Sequence, residues 1–196
     1  FADDLIGANG GWGHRGDFWD GTRTNLVCPA AARRGVWDEH FAHAPSLNLG
    51  FSGDRTEHVL WRLRRGQMGI SKPRAAVIMI GTNNTGHRMQ PPQETAAGVR
   101  DIIALVQQQS PATKIVLLGV FPRGDTTFDS MRLNNVALNQ YLSRLDDGEQ
   151  VFYRDLSPLF LKDDGSLPRE IMPDLLHLNE AGYQIWAEAL VGILQE

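Results

Sequence analysis

Apolar residues in this chain gather in short runs, and the stretches between those runs carry helical spacing. Ala75 to Ile80 is wholly apolar and ends in Gly81-Thr82-Asn83-Asn84, the pattern of a buried strand opening into a polar loop. Lys114 to Val120 repeats it and stops at Phe121-Pro122-Arg123-Gly124. Gln150 to Tyr153 predicts a weaker third strand and Leu47 to Gly50 a fourth. Val99, Ile102, Ile103 and Val106 fall on one stripe of a helix following Pro92. Leu138, Leu142 and Leu145 do the same after Ser130. Ile185, Trp186, Ala189, Leu190 and Ile193 line a C-terminal helix that Asn179 can cap. Strands alternating with helices predict a parallel sheet covered on both faces, with functional loops at the strands' carboxyl ends.

Residues 1–34 break the pattern. They hold six glycines by Gly21 and no apolar run that reads as a core strand. An internal first strand needs apolar residues on both faces. Asp17-Phe18-Trp19-Asp20-Gly21 offers two, flanked by acids that are costly to bury, and Leu26-Val27-Cys28 is short. The segment is therefore expected to be irregular or loosely docked.

At 196 residues the chain suits one domain over 1–196, with 1–34 its divergent part. A net charge of −4 argues against nucleic acid, which calls for a basic face. The cluster Arg62, Arg64 and Arg65 reads as a solvated helix end. No apolar run approaches a bilayer span. The single cysteine, Cys28, rules out an internal disulfide, and with no visible signal peptide it favours the cytoplasm.

Three places carry candidate chemistry. Asp174 stands three residues before His177, so a tight turn can bring its carboxylate to the imidazole Nδ1 and leave Nε2 free to take a hydroxyl proton. The bland alternative is a helix-start histidine with a capping aspartate. Asn83, just past a buried strand, can aim an amide N–H into a cleft and stabilise an oxyanion; an ordinary turn is the alternative. In Asn48-Leu49-Gly50-Phe51-Ser52-Gly53-Asp54, the N–H of Gly53 can be a second oxyanion donor; the bland alternative is a loop whose Asp54 caps the next helix. His40, His43, His58 and His87 share no metal-ligand spacing, and the five tryptophans suit core or interface positions.

In order, Gly53, Asn83, Asp174 and His177 resemble the block pattern of the GDSL/SGNH hydrolases. The runs Asn48 to Leu63, Gly81 to Asn84, Leu118 to Gly124 and Asp174 to Tyr183 look like the bacterial relatives of the platelet-activating-factor acetylhydrolase Ib catalytic subunits. The likeness covers about residues 35–196. It implies a three-layer α/β/α sandwich with a parallel, flavodoxin-like sheet (the SGNH hydrolase fold). It also implies hydrolysis of a small ester, acetyl or another short acyl, with no metal or organic cofactor and with a homodimer as one assembly. By position His177 becomes the general base, Asp174 its orienting acid, and Gly53 and Asn83 the oxyanion hole.

The family's first block is an apolar strand ending in Gly-Asp-Ser, whose serine is the nucleophile. This chain has no serine before Ser46. Asp20-Gly21-Thr22-Arg23-Thr24-Asn25 is the nearest counterpart, with Thr22 near the serine position. Four readings stay open: a degraded block with no nucleophile, Thr22 activated by a base, Cys28, or else Ser52 or a segment upstream. The rival class is a catalytically impaired relative that binds acylated sugars or lipids.

Overall fold

The structure, a computed structural model, describes residues 5–8, 30–43, 46–68, 72–86 and 88–195. Its centre is a five-stranded sheet with every strand parallel: β1 (Leu5–Ala8), β2 (Ser46–Asn48), β3 (Ala75–Ile78), β4 (Lys114–Leu118) and β5 (Val151–Arg154), in the order β2-β1-β3-β4-β5. The predicted strands at 75–80, 114–120 and 150–153 are thus parallel, and each pairs with the next in sequence order. Ala76 sits opposite Ile115, and Ile115 opposite Val151.

Alternation along the inner strands divides the core in two. Val77, Val116 and Leu118 point to one face and pack with α1 (Ala30–His40) and α6 (Glu180–Gln195), where Phe41 meets Trp186 with ring centroids 5.9 Å apart. Ala76, Ile78, Ile115 and Leu117 point to the other, beneath α2 (Thr56–Arg64), α4 (Pro92–Gln109) and α5 (Ser130–Leu142). The period of two that defines a strand hands each face its own set of side chains. The expected stripe Val99, Ile102, Ile103 and Val106 is buried on α4, as are Leu138 and Leu142 on α5. Asn179 caps α6, its Oδ1 accepting the Gly182 N–H at 3.0 Å. The architecture is the expected three-layer α/β/α sandwich.

Three readings of the sequence are corrected. Residues 1–34 are not irregular throughout: β1 lies inside the sheet, Ile6 opposite both Leu47 and Ala76, and α1 begins at Ala30. A four-residue strand with a glycine in it is a weak signal along the chain, yet between two parallel neighbours its backbone groups find partners on both sides. Asp17 to Gly21, the nearest sequence candidate for that strand, lies outside the described residues, as does Leu26 to Cys28. Second, Asp54 does not cap α2; the residue ahead of the first turn is Arg55, whose N–H donates to His58 Nδ1 at 3.2 Å. Third, Arg62 is no solvated helix end. Its guanidinium turns back to grip the buried Asp54 carboxylate with both terminal nitrogens and lies over the Phe51 ring at 4.3 Å. A buried carboxylate needs such a partner.

Candidate active site

Four segments meet the strand ends. The first follows β2, where Phe51 to Asp54 form a turn closed by the Asp54 N–H on the Phe51 carbonyl at 3.3 Å. Gly53 has φ of +77°, a left-handed conformation that glycine adopts at little cost. Ser52 is exposed in the same turn.

The second is α3 (Thr82–Thr85), one short helical turn directly after β3. Asn83 Nδ2 donates to the Asp54 carbonyl at 2.9 Å. One of its two N–H bonds is thereby used to fix the amide beside the Gly53 turn, and the second is left for another acceptor. Asn84, fully buried, ties the same loop to α2: its Oδ1 accepts the Thr56 N–H at 3.1 Å, and its amide N–H groups reach Thr56 Oγ1 at 3.2 Å and Gln90 Oε1 at 2.7 Å. That accepted N–H is one of the helix-start donors that no intrahelical carbonyl can serve.

The third is the turn before α6. His177 Nδ1 stands 2.7 Å from Asp174 Oδ2. Asp174 Oδ1 accepts the backbone N–H groups of Leu176 at 3.1 Å and His177 at 2.8 Å. Burial pushes the Asp174 carboxyl upward, but the His177 side chain and these backbone donors outweigh it and hold the carboxyl below the usual aspartate range. Leu175, between the two, has φ of +61° and is buried. A non-glycine residue in the left-handed region is uncommon and costs strain; here it turns the chain tightly enough for the two side chains to meet. His177 is well exposed.

The fourth follows β4. Arg123 is buried, and its Nη1 donates to the Thr82 carbonyl at 3.1 Å and lies 3.3 Å from Thr82 Oγ1. Burial works to loosen the guanidinium's proton, while the Asp129 and Asp174 carboxylates act to keep it. The next residue, Gly124, donates its N–H to the Leu175 carbonyl at 2.9 Å.

Asp174 and His177 are therefore joined, as are the Asn83 amide and the Gly53 turn. Thr22 and Cys28 lie outside the described residues. What leaves β1 in the sequence is Asn9-Gly10-Gly11, without hydroxyl or thiol. Among the described residues, no three His, Cys, Asp or Glu side chains come together as a metal site, and no helix is long and apolar enough to cross a membrane.

Sequence reasoning gave no role to two buried polar groups beside this site. Arg123 stood out only as part of the family-like run Leu118 to Gly124 after a strand. Asn135 carried a signal: it lies three residues before Leu138 on the buried stripe of α5, and a polar residue there needs buried partners. Its Nδ2 donates to the Phe121 carbonyl at 3.0 Å and its Oδ1 accepts from Thr85 Oγ1 at 2.5 Å.

Comparisons with known proteins bear on the family and the fold. The sequence model of the GDSL-like lipase/acylhydrolase family matches residues 10–185, starting well upstream of residue 35. The platelet-activating factor acetylhydrolase IB subunit alpha1 of Bos taurus is 34% identical over 160 residues, which is 81% of this chain and 67% of that one. Among solved structures, a GDSL-like lipase from Bacteroides thetaiotaomicron superposes with a TM-score of 0.73 at 16% identity, covering 98% of this chain and 87% of the other. An acetylxylan esterase from Geobacillus stearothermophilus, solved as a catalytic mutant, gives 0.68 at 18% identity over 96% and 91%. At such identities the two structures speak for the fold.

Proposed function

This chain belongs to the GDSL-like lipase/acylhydrolase family, and from that premise we propose that it is built to hydrolyse small carboxylic esters, removing acetyl or similarly short acyl groups. The observation that carries the reading is the 2.7 Å contact between His177 Nδ1 and Asp174 Oδ2. It fixes the ring with Nε2 as the basic nitrogen. In this reading His177 Nε2 takes the proton of a hydroxyl nucleophile as its oxygen adds to the ester carbonyl carbon. The new oxyanion is held by the second Asn83 N–H and the Gly53 backbone N–H. The imidazolium returns the proton to the departing alcohol, and water then releases the acyl group by the same steps.

The nucleophile is the open part. Thr22 stands near the family's serine position in the sequence and is the candidate of this reading. A second reading has its own observation: Asn9-Gly10-Gly11 follow the internal strand β1 and offer no nucleophile. It makes the chain an impaired relative that binds acylated sugars or lipids. Hydrolysis of p-nitrophenyl acetate by the unmodified chain, compared with His177→Ala, separates the two. His177-dependent turnover supports the hydrolase, and Thr22→Ala and Cys28→Ser then identify the nucleophile. No turnover above His177→Ala, together with saturable binding of an acetylated oligosaccharide or a lipid, supports the second reading.

A further inference from the structure

Arg123 stands where two parts of the site could drift apart. The Asn83 loop and the Asp174–His177 turn come from distant stretches of chain, and the segment after β4 touches both. On one side the Arg123 side chain holds Thr82, the residue before Asn83, through its carbonyl at 3.1 Å, with the hydroxyl at 3.3 Å. On the other, the Gly124 N–H holds the carbonyl of Leu175, the strained residue between Asp174 and His177, at 2.9 Å.

The surroundings leave the guanidinium little freedom. Arg123 is only 6% exposed. A Cβ on Gly86 would come within 2.2 Å of Arg123 Nη1, so that glycine makes room for the arginine. Asn135 pins the same segment through the Phe121 carbonyl at 3.0 Å. The negative groups acting on Arg123 are Asp129 and Asp174. A buried guanidinium is an expensive way to fill space, and this one is held by the Thr82 carbonyl.

We propose that Arg123 is a positioning residue, its side chain on Thr82 and the backbone of Gly124 on Leu175 together holding the Asn83 loop and the Asp174–His177 turn in register. The inference rests on the roles given above to Asn83, Asp174 and His177, yet it concerns geometry that exists whether or not the chain turns over an ester.

Its test is therefore spectroscopic. The Asn83 side-chain amide and the His177 ring signals are followed by NMR in the unmodified chain, in Arg123→Met and in Arg123→Lys. Arg123→Met loses the donor to the Thr82 carbonyl, so both sets of signals should move. Arg123→Lys keeps a donor and loses the rigid guanidinium seated against Gly86, so both should move in the same direction by less. A residue that merely filled space would move neither. A folded variant in which the Asn83 or the His177 signals stay in place overturns the proposal. If Arg123→Met does not fold, the Lys variant decides alone. Absence of ester hydrolysis in every form would defeat the catalytic reading and leave these results standing.

Discussion

The Asn83 side-chain amide donates to the Asp54 carbonyl at 2.9 Å, which ties the loop after β3 to the turn after β2. The bond spends one N–H on orientation and keeps the other for an acceptor, the arrangement expected of a preorganised oxyanion donor. Asn83→Ala should lower kcat for an acetyl ester by about 10²–10³ with KM little changed. Its thermal unfolding should shift only modestly, because a part-buried hydrogen bond contributes about 1 kcal/mol. Steady-state kinetics and a thermal melt check both, and a fully active Asn83→Ala refutes the role.

Asp174 links catalysis to pH. Its carboxyl titrates lower in the folded chain than an ordinary aspartate, so its stabilising effect is full above about pH 4 and fades as the pH falls through the lowered value. Asp174→Asn should therefore melt below the unmodified chain near pH 7, and the gap should close as the pH falls through the lowered value. At neutral pH the same substitution should cost about 10³–10⁴ in kcat by releasing the His177 ring. Melting curves across pH and the rate at pH 7 test the two halves separately.

The residues after β1 invite a gain of function. Asn9→Gly, Gly10→Asp and Gly11→Ser together place Gly-Asp-Ser directly after the internal strand. Hydrolysis of p-nitrophenyl acetate should then rise by about 10²-fold or more and vanish again with His177→Ala. Thr22→Ser alone should gain less, because it leaves the sequence following β1 unchanged. A triple variant that folds and gains nothing counts against the arrangement proposed for His177 and Asn83.

Asn84 tests the support beneath the site. It is fully buried and satisfies the Thr56 N–H at the start of α2. Asn84→Leu removes that acceptor and strands the donor, which should destabilise the fold by about 2–3 kcal/mol or more. Denaturant unfolding measures it. Asn135→Leu should act in the same direction, since it strands the Phe121 carbonyl, while the Thr85 hydroxyl keeps the Gly81 carbonyl as an acceptor.

The sequence alone determined the layers. Runs such as Ala75 to Ile80 and stripes such as Val99 to Val106 encode burial through periods of two and 3.6, and these patterns survive without knowledge of any partner. The Asp174–His177 pair was legible for the same reason, being three residues apart in one turn. Tertiary structure decided the rest. Leu5 to Ala8, four apolar residues with a glycine among them, is only a weak local signal for an internal strand; pairing with β2 and β3 makes it one. Arg62 looked solvated because its partner Asp54 lies eight residues back, just ahead of the helix that carries Arg62. Arg123 and Asn135 acquired their places from contacts 41 and 14 residues away along the chain. A buried polar group declares its purpose through the atoms that satisfy it, and those are chosen by the fold rather than by sequence neighbours.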